Sequence, residues 1–243
     1  AGLLFLLGWL KRDGVKRALA WLTQHKKGFL LGAIVFQLIV MVCAELLIRR
    51  DAAVVFKGAF ELLKQSSITN YLSRNPNNIP LFLYEKFFYV LFGSSGLWVM
   101  QVLNMLYVNL GAVLLYKLSQ KHFNQKTADL VYLFYVSLIC YSPYFYSMYT
   151  DIPPLPLIAL QLWWSLDLLK ENQAGISWKK MFGLGILSGV TMLIRPTTII
   201  VMIAFWAVLF FRGNWKVFGK IATVTVMTTG FVFAGLNTAV NHQ

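Results

Sequence analysis

Long apolar runs separated by short polar breaks dominate the chain. A helix needs about 20 predominantly apolar residues to cross the roughly 30 Å hydrocarbon core of a bilayer. Residues 28–48 form one such run, interrupted only by Gln37 and Glu45. Residues 97–116, 130–148 and 152–169 form three more, and 217–240 the last. Two shorter runs, 181–194 and 197–211, are separated by Arg195-Pro196. The pattern predicts an all-α, polytopic transmembrane helix bundle with about seven crossings.

The segment between the first two runs has a different pattern. Residues 51–65 place Ala52, Val55, Phe56, Ala59, Leu62 and Leu63 on one side of a helix and Lys57, Glu61 and Lys64 on the other, as an amphipathic interfacial helix would. Residues 66–80, rich in Asn, Pro and Ser, predict a polar turn region. Residues 79–92 are apolar apart from Glu85-Lys86 and too short to span comfortably, which predicts a second interfacial helix. Residues 11–27 alternate basic residues with Val15, Leu19, Trp21 and Leu22, as a cytoplasmic surface helix would. The expected organisation is a basic N-terminal segment (1–27), a transmembrane module (28–240) with a long external loop (49–96), and a truncated end (241–243). The chain opens on Ala1 and stops directly after an apolar helix, as one cut at both ends would.

Composition agrees with a membrane setting. Hydrophobic residues make up 58% and charged residues 13%, against roughly 25% charged in a soluble domain. The net charge of +13 would suggest nucleic acid in a soluble protein. Here the cations cluster between apolar runs, and no nucleic-acid-binding motif accompanies them. Basic groups such as Lys26-Lys27, Lys117 and Lys121, Lys179-Lys180, and Arg212 with Lys216 fall in every alternate loop. The positive-inside rule then places the N-terminus in the cytoplasm and the C-terminus outside, with the plasma membrane the expected location. The segment 49–96, the corner at Asp151 and the Arg195-Pro196 break fall on the outer face. That loop nevertheless holds Arg49, Arg50, Lys57, Lys64, Arg74 and Lys86, which points to an anion bound there. Cys43 and Cys140 read as two buried thiols, and His25, His122 and His242 lack the spacing of a zinc site.

Acids are few enough to weigh singly. Asp13, Asp129, Asp167, Glu171 and Glu61 read as solvated surface, and Glu45 as a partner for Arg49 one turn on. Asp51 follows the first run behind Arg49-Arg50, where capping an interfacial helix is the alternative to a chemical role. Asp151 lies in Tyr149-Thr150-Asp151-Ile152-Pro153-Pro154, again with capping as the alternative. Arg195 stands between two short runs, costly unless it faces a cavity, an anion or the headgroups.

Three segments carry a resemblance. Arg50-Asp51-Ala52-Ala53 through Gly58-Ala59, directly after the first crossing, resembles the first acidic motif of GT-C glycosyltransferases. Tyr71-Leu72-Ser73-Arg74-Asn75-Pro76-Asn77-Asn78-Ile79-Pro80 is similar to a segment of the bacterial polyprenyl-phosphate-sugar transferases and mannosyltransferases of that superfamily. Thr150-Asp151-Ile152-Pro153 falls where the second acidic motif lies, with one acid rather than an Asp-x-Asp pair. The stretch 183–198 ends in Arg195-Pro196-Thr197, where these enzymes usually read Lys-Pro-Thr. The resemblance covers about 28–240, the shared seven-helix module of the fold.

It implies transfer of a sugar from a polyprenyl-phosphate-linked donor to a hydroxyl of a glycan, lipid or protein acceptor, outside the cytoplasm and with inversion. Asp51 would be the general base, with Glu85 or Asp151 as fallback. Arg195, then Arg74 and Lys86, would neutralise the departing lipid phosphate. Asp151 would orient the acceptor or hold a divalent cation such as Mg or Mn, and Asn77-Asn78 would hydrogen-bond the sugar. The rival readings are a multi-pass transporter or lipid flippase subunit, which would favour an inverted repeat and mid-membrane acids, and a structural assembly subunit.

Overall fold

A computed structural model describes residues 12–44, 48, 50–170, 178–213 and 215–241. The expectations placed on Glu45, Arg49, Glu171 and the last two residues lie outside the described residues. Every regular element among the described residues is helical. α1 (Arg12–Gln24) leads into α2 (Lys26–Cys43), and three short helices follow: α3 (Arg50–Ala59), α4 (Gln65–Arg74) and α5 (Ile79–Phe92). α6 (Gly96–His122) packs against α7 (Gln125–Tyr135), whose start is capped by Asn124 Oδ1 accepting from Thr127 N at 2.8 Å. α8 (Leu155–Lys170), α9 (Trp178–Ile194), α10 (Ile199–Phe211) and α11 (Trp215–Asn241) complete the bundle.

Two helical stretches, Lys26–Cys43 and Pro76–His122, are long and apolar enough to cross a membrane by length and composition. Pro196–Phe211 and Phe218–Val232 are shorter apolar helices. The sides of the bundle are greasy. Val42, Ile200, Phe211, Met227 and Phe231 are each about two-thirds exposed or more, a surface that water solvates badly and lipid well.

Three apolar clusters hold the helices. One joins α2, α6 and α7 through Ala33, Val108, Ala112 and Leu133. Another joins α8 to α11 through Leu168, Leu184, Met202, Phe205 and Ile221. In that second cluster α9 and α11 approach closely because Gly185 has no Cβ, which would stand 3.2 Å from Thr228 Cβ. Small residues at such a crossing are how helices pack where lipid competes for apolar contact. The third cluster, Ala59, Phe60, Met100 and Met148, seats the short helices on the end of α6.

Three local expectations are corrected. Residues 66–80 are not a turn region: Gln65–Arg74 is a helix, because Ile68 (1% exposed) is buried against Gly58, which leaves room for it. The amphipathic helix from 51 stops at Ala59. Glu61 turns with φ +60° while Leu62 N donates to Lys57 O at 2.7 Å, and Leu62 is left exposed. The run 130–148 is not one helix either: α7 loosens into a π-helical turn, Val136–Cys140, and the chain then leaves the helix before Pro143. Gln37 Nε2 donates to Cys140 O at 2.8 Å at that point, which accounts for the polar break in the first run. Both cysteines are free, but only Cys140 is buried; Cys43 lies on the exposed side of the bundle.

At the end of the bundle where α6 finishes, cations and acids pair. Lys26 Nζ is 3.1 Å from Asp129 Oδ1 and Lys121 Nζ 2.7 Å from Asp167 Oδ2. Asp129 and Asp167 are therefore tied partners and not freely solvated.

Candidate functional site

The other end of the bundle gathers most of the remaining polar chemistry. Arg50 opens α3 with φ +55°, a left-handed conformation unfavourable for a side-chain-bearing residue, and Asp51 follows in the first turn. Opposite them runs the loop after α7. Pro143–Tyr146 forms a 3-10 turn, initiated by Ser142 Oγ accepting from Tyr144 N at 3.2 Å. Tyr146 OH donates to Ala44 O at 2.8 Å, which pins the loop to the end of α2. Between the loop and α3 lies a cavity of about 720 Å³ walled by Arg50, Asp51, Ser142, Tyr144, Ser147 and Tyr149 together with Ile48, Ala52, Pro143, Tyr146 and Met148. Its wall holds one cation and one carboxylate, side by side.

Asp51 is backed by α4. Burial raises the Tyr71 hydroxyl above its ordinary pKa, and the nearby negative charge of Asp51 adds to the rise. The Tyr71 oxygen accepts from Asn78 Nδ2 at 2.8 Å. Asn78, buried, therefore supports Tyr71 and is not free to meet a ligand. Asn77 and Arg74 are exposed and lie outside the cavity wall.

Asp151 and Arg195 form one unit. Asp151 Oδ1 is 2.6 Å from Arg195 Nη2, and Oδ2 accepts from Tyr144 OH at 2.6 Å. Arg195 Nη1 donates to Thr150 Oγ1 at 3.1 Å, and the guanidinium lies 5.4 Å from the centre of the Tyr149 ring. Burial, then the adjoining Asp151, pushes Tyr144 up to about 12, so it remains a donor. The pair sits behind the cavity wall and reaches it through Tyr144 and Tyr149. Neither capping nor a solitary snorkelling arginine describes the arrangement. On the far side of Thr150 is an apolar cleft of about 330 Å³, lined by Pro80, Leu81, Tyr84, Tyr107, Thr150, Pro153, Pro156, Leu157 and Ile194.

Both Asp151 oxygens are engaged, and the described residues hold no group of three or more His, Cys, Asp or Glu able to bind a metal ion. The divalent ion expected at Asp151 does not fit this donor set. Lys86 points away, 2.5 Å from Glu61 Oε1 and over the Tyr89 ring. Glu85, fully buried, does not reach the cavity. The arrangement thus brings Asp51 together with Arg50, one of the loop cations expected to meet an anion, and with Tyr71, Tyr144 and Tyr149, to which the sequence assigned no role. The available signal was the density of tyrosines at 141, 144, 146 and 149, directly before a lone acid.

Helices with lipid-compatible sides and a polar chamber at one end define the class of a helical membrane protein. The chain belongs to a family described as conserved hypothetical integral membrane proteins, whose model matches residues 5–243. No curated protein and no solved structure matches it.

Proposed function

We propose that the chain is a GT-C-type glycosyltransferase module that moves a sugar from a polyprenyl-phosphate donor to an acceptor hydroxyl at the extracytoplasmic face of the plasma membrane. The observation that carries the reading is that Asp51 and Arg50 both line the wall of one aromatic-lined cavity. In this reading α2, α6, α7, α8, α9, α10 and α11 are the seven crossings, and α3 to α5 lie over them at the outer surface.

The chemistry follows from the placement. Asp51, steered by Tyr71, takes the proton of the acceptor hydroxyl as it attacks the anomeric carbon. The bond to the lipid phosphate breaks, and the departing charge meets Arg50, a cation with no ion pair among the described residues. Arg195, already neutralised by Asp151, is a framework residue that sets Tyr144 and Tyr149. The 330 Å³ apolar cleft beside Thr150 suits the first isoprene units of the donor. One carboxylate and direct attack give inversion.

The test is release of polyprenyl phosphate from a panel of polyprenyl-phosphate hexoses in proteoliposomes holding the full-length protein. Release that requires an added acceptor and is lost in Asp51→Asn supports the reading. Absence of release across the panel, or release unaffected by that substitution, overturns it.

A further inference from the structure

α9 and α11 run side by side in the same direction, in contact where Gly185 meets Thr225 and Thr228 and where Gly189 meets Thr229 and Val232. On their outer side lies a groove of about 420 Å³, lined by Trp178, Lys179, Phe182, Val224, Met227 and Thr228. One end of it is cationic. Lys179 is in the wall, and Lys220 Nζ stands 4.0 Å from the centre of the Trp178 ring. Neither lysine has a carboxylate partner among the described residues. The other end is apolar: Phe182 and Met227 are exposed, and Thr228 Oγ1 already donates to Val224 O at 2.7 Å.

That polarity matches an amphiphile with its head at the lysines. Arg212 Nη1 donates to Leu169 O at 2.7 Å and Lys170 Nζ to His122 O at 3.4 Å. The starts of α9 and α11 therefore lie at the basic end of the bundle, where α6 finishes. From Lys220 to Thr228 a helix advances about 12 Å, most of the roughly 15 Å depth of one leaflet's hydrocarbon. Tryptophan favours the headgroup level, and lysine stems reach from there to the phosphates. Two lysines without acidic partners favour a headgroup of net negative charge. A zwitterionic headgroup would bring its own ammonium among like charges. A comparable groove of about 450 Å³ along α7, from Thr127 to Ile139, has no cation in its wall among the described residues. It offers a chain a place but gives a headgroup no anchor.

We propose that the α9–α11 groove binds one anionic phospholipid of the leaflet at the basic end, its phosphate held by Lys179 and Lys220 and one acyl chain laid along Phe182 and Met227. The positive-inside rule makes that leaflet the cytoplasmic one. The site does not depend on the sugar-transfer reading.

Thermal unfolding of the full-length protein in a neutral detergent, titrated with phosphatidylglycerol or with phosphatidylcholine of identical chains, tests it. The midpoint rises more with phosphatidylglycerol, by mass action on the folded state. The pair Lys179→Gln and Lys220→Gln should need about thirtyfold more of that lipid for the same rise. The pair Lys27→Gln and Lys126→Gln removes two exposed lysines at the same end and should leave the titration unchanged. Met227→Trp keeps both groove lysines, fills the groove and should also move the titration to higher lipid. Equal rises with the two lipids, or equal losses in the two lysine pairs, overturn the proposal. No rise with either lipid overturns it too and leaves the groove to a protein partner. So does a wild-type titration in Met227→Trp, because binding is then by headgroup charge alone.

Discussion

Asp151 and Arg195 neutralise each other across the bundle, Oδ1 standing 2.6 Å from Nη2 with Tyr144 OH on the other carboxylate oxygen. The two residues are remote in sequence, and each is otherwise an isolated charge near a helix end. Joining them fastens the break between α9 and α10 to the corner that precedes α8. It also fixes the tyrosines that wall the cavity.

That relationship gives the first prediction. The side chains are 30% and 23% exposed, between a surface pair and a buried one. Asp151→Asn and Arg195→Gln should each destabilise the protein by about 1–2 kcal/mol, the midrange between exposed and buried pairs. The double substitution should lose less than the sum, because it leaves no charge uncompensated. Unfolding midpoints of the four proteins measure the coupling, and strict additivity would return the two residues to independent roles.

How far the sequence leads depends on what each residue's state rests on. The apolar runs are locally written, and helices stand at each of them except the second half of 130–148, where the helix ends before Pro143. Asp51 and Asp151 were visible because acids are scarce. Hidden were the pairings: nothing in the sequence couples position 151 to 195, or 71 to 51, since both arise from packing between distant helices. The helix Gln65–Arg74 was hidden for the same reason. Its polar composition reads as a turn until Ile68 finds the space over Gly58. Lys86 looked like a free cation because its partner Glu61 lies beyond a reversal that no turn signature marks.

The second prediction concerns Arg50, which combines a left-handed backbone with a cavity-lining guanidinium. Arg50→Gly removes both the steric strain, worth about 1–2 kcal/mol, and the charge. Stability should therefore hold or rise while affinity for the lipid-phosphate donor falls. A surface arginine without a role would lose nothing in binding. Donor titration beside thermal unfolding separates the cases, and unchanged affinity would remove Arg50 from the site.

A third prediction tests the sidedness assumed for the chemistry. In a protein with Cys43 and Cys140 replaced by serine, single cysteines at Asn77 and Lys126 should react with an impermeant maleimide from opposite sides of sealed vesicles. Both positions are exposed and lie at opposite ends of the bundle. Position 77 should be reached from the extracytoplasmic side. Labelling of both from one side, or of position 77 from the cytoplasmic side, would displace the active site from the outer face.

The fourth prediction is that Asp51→Asn stops sugar transfer without unfolding the protein. Asparagine has nearly the same volume, so the packing of α3 against α4, where Ile68 lies over Gly58, survives. It also serves near a helix start about as well as aspartate. What it cannot do is take a proton. Loss of general-base help costs roughly a hundredfold to ten-thousandfold in rate, whereas a lost favourable charge at a helix end is worth only about 0.3–1 kcal/mol of stability. Transfer by the full-length protein in proteoliposomes should therefore fall at least about a hundredfold, with an unfolding midpoint close to wild type. Retention of more than about a tenth of the activity would make Asp51 a structural residue. The proton would then have to leave through Asp151, freed from Arg195 by a movement of the α9–α10 break.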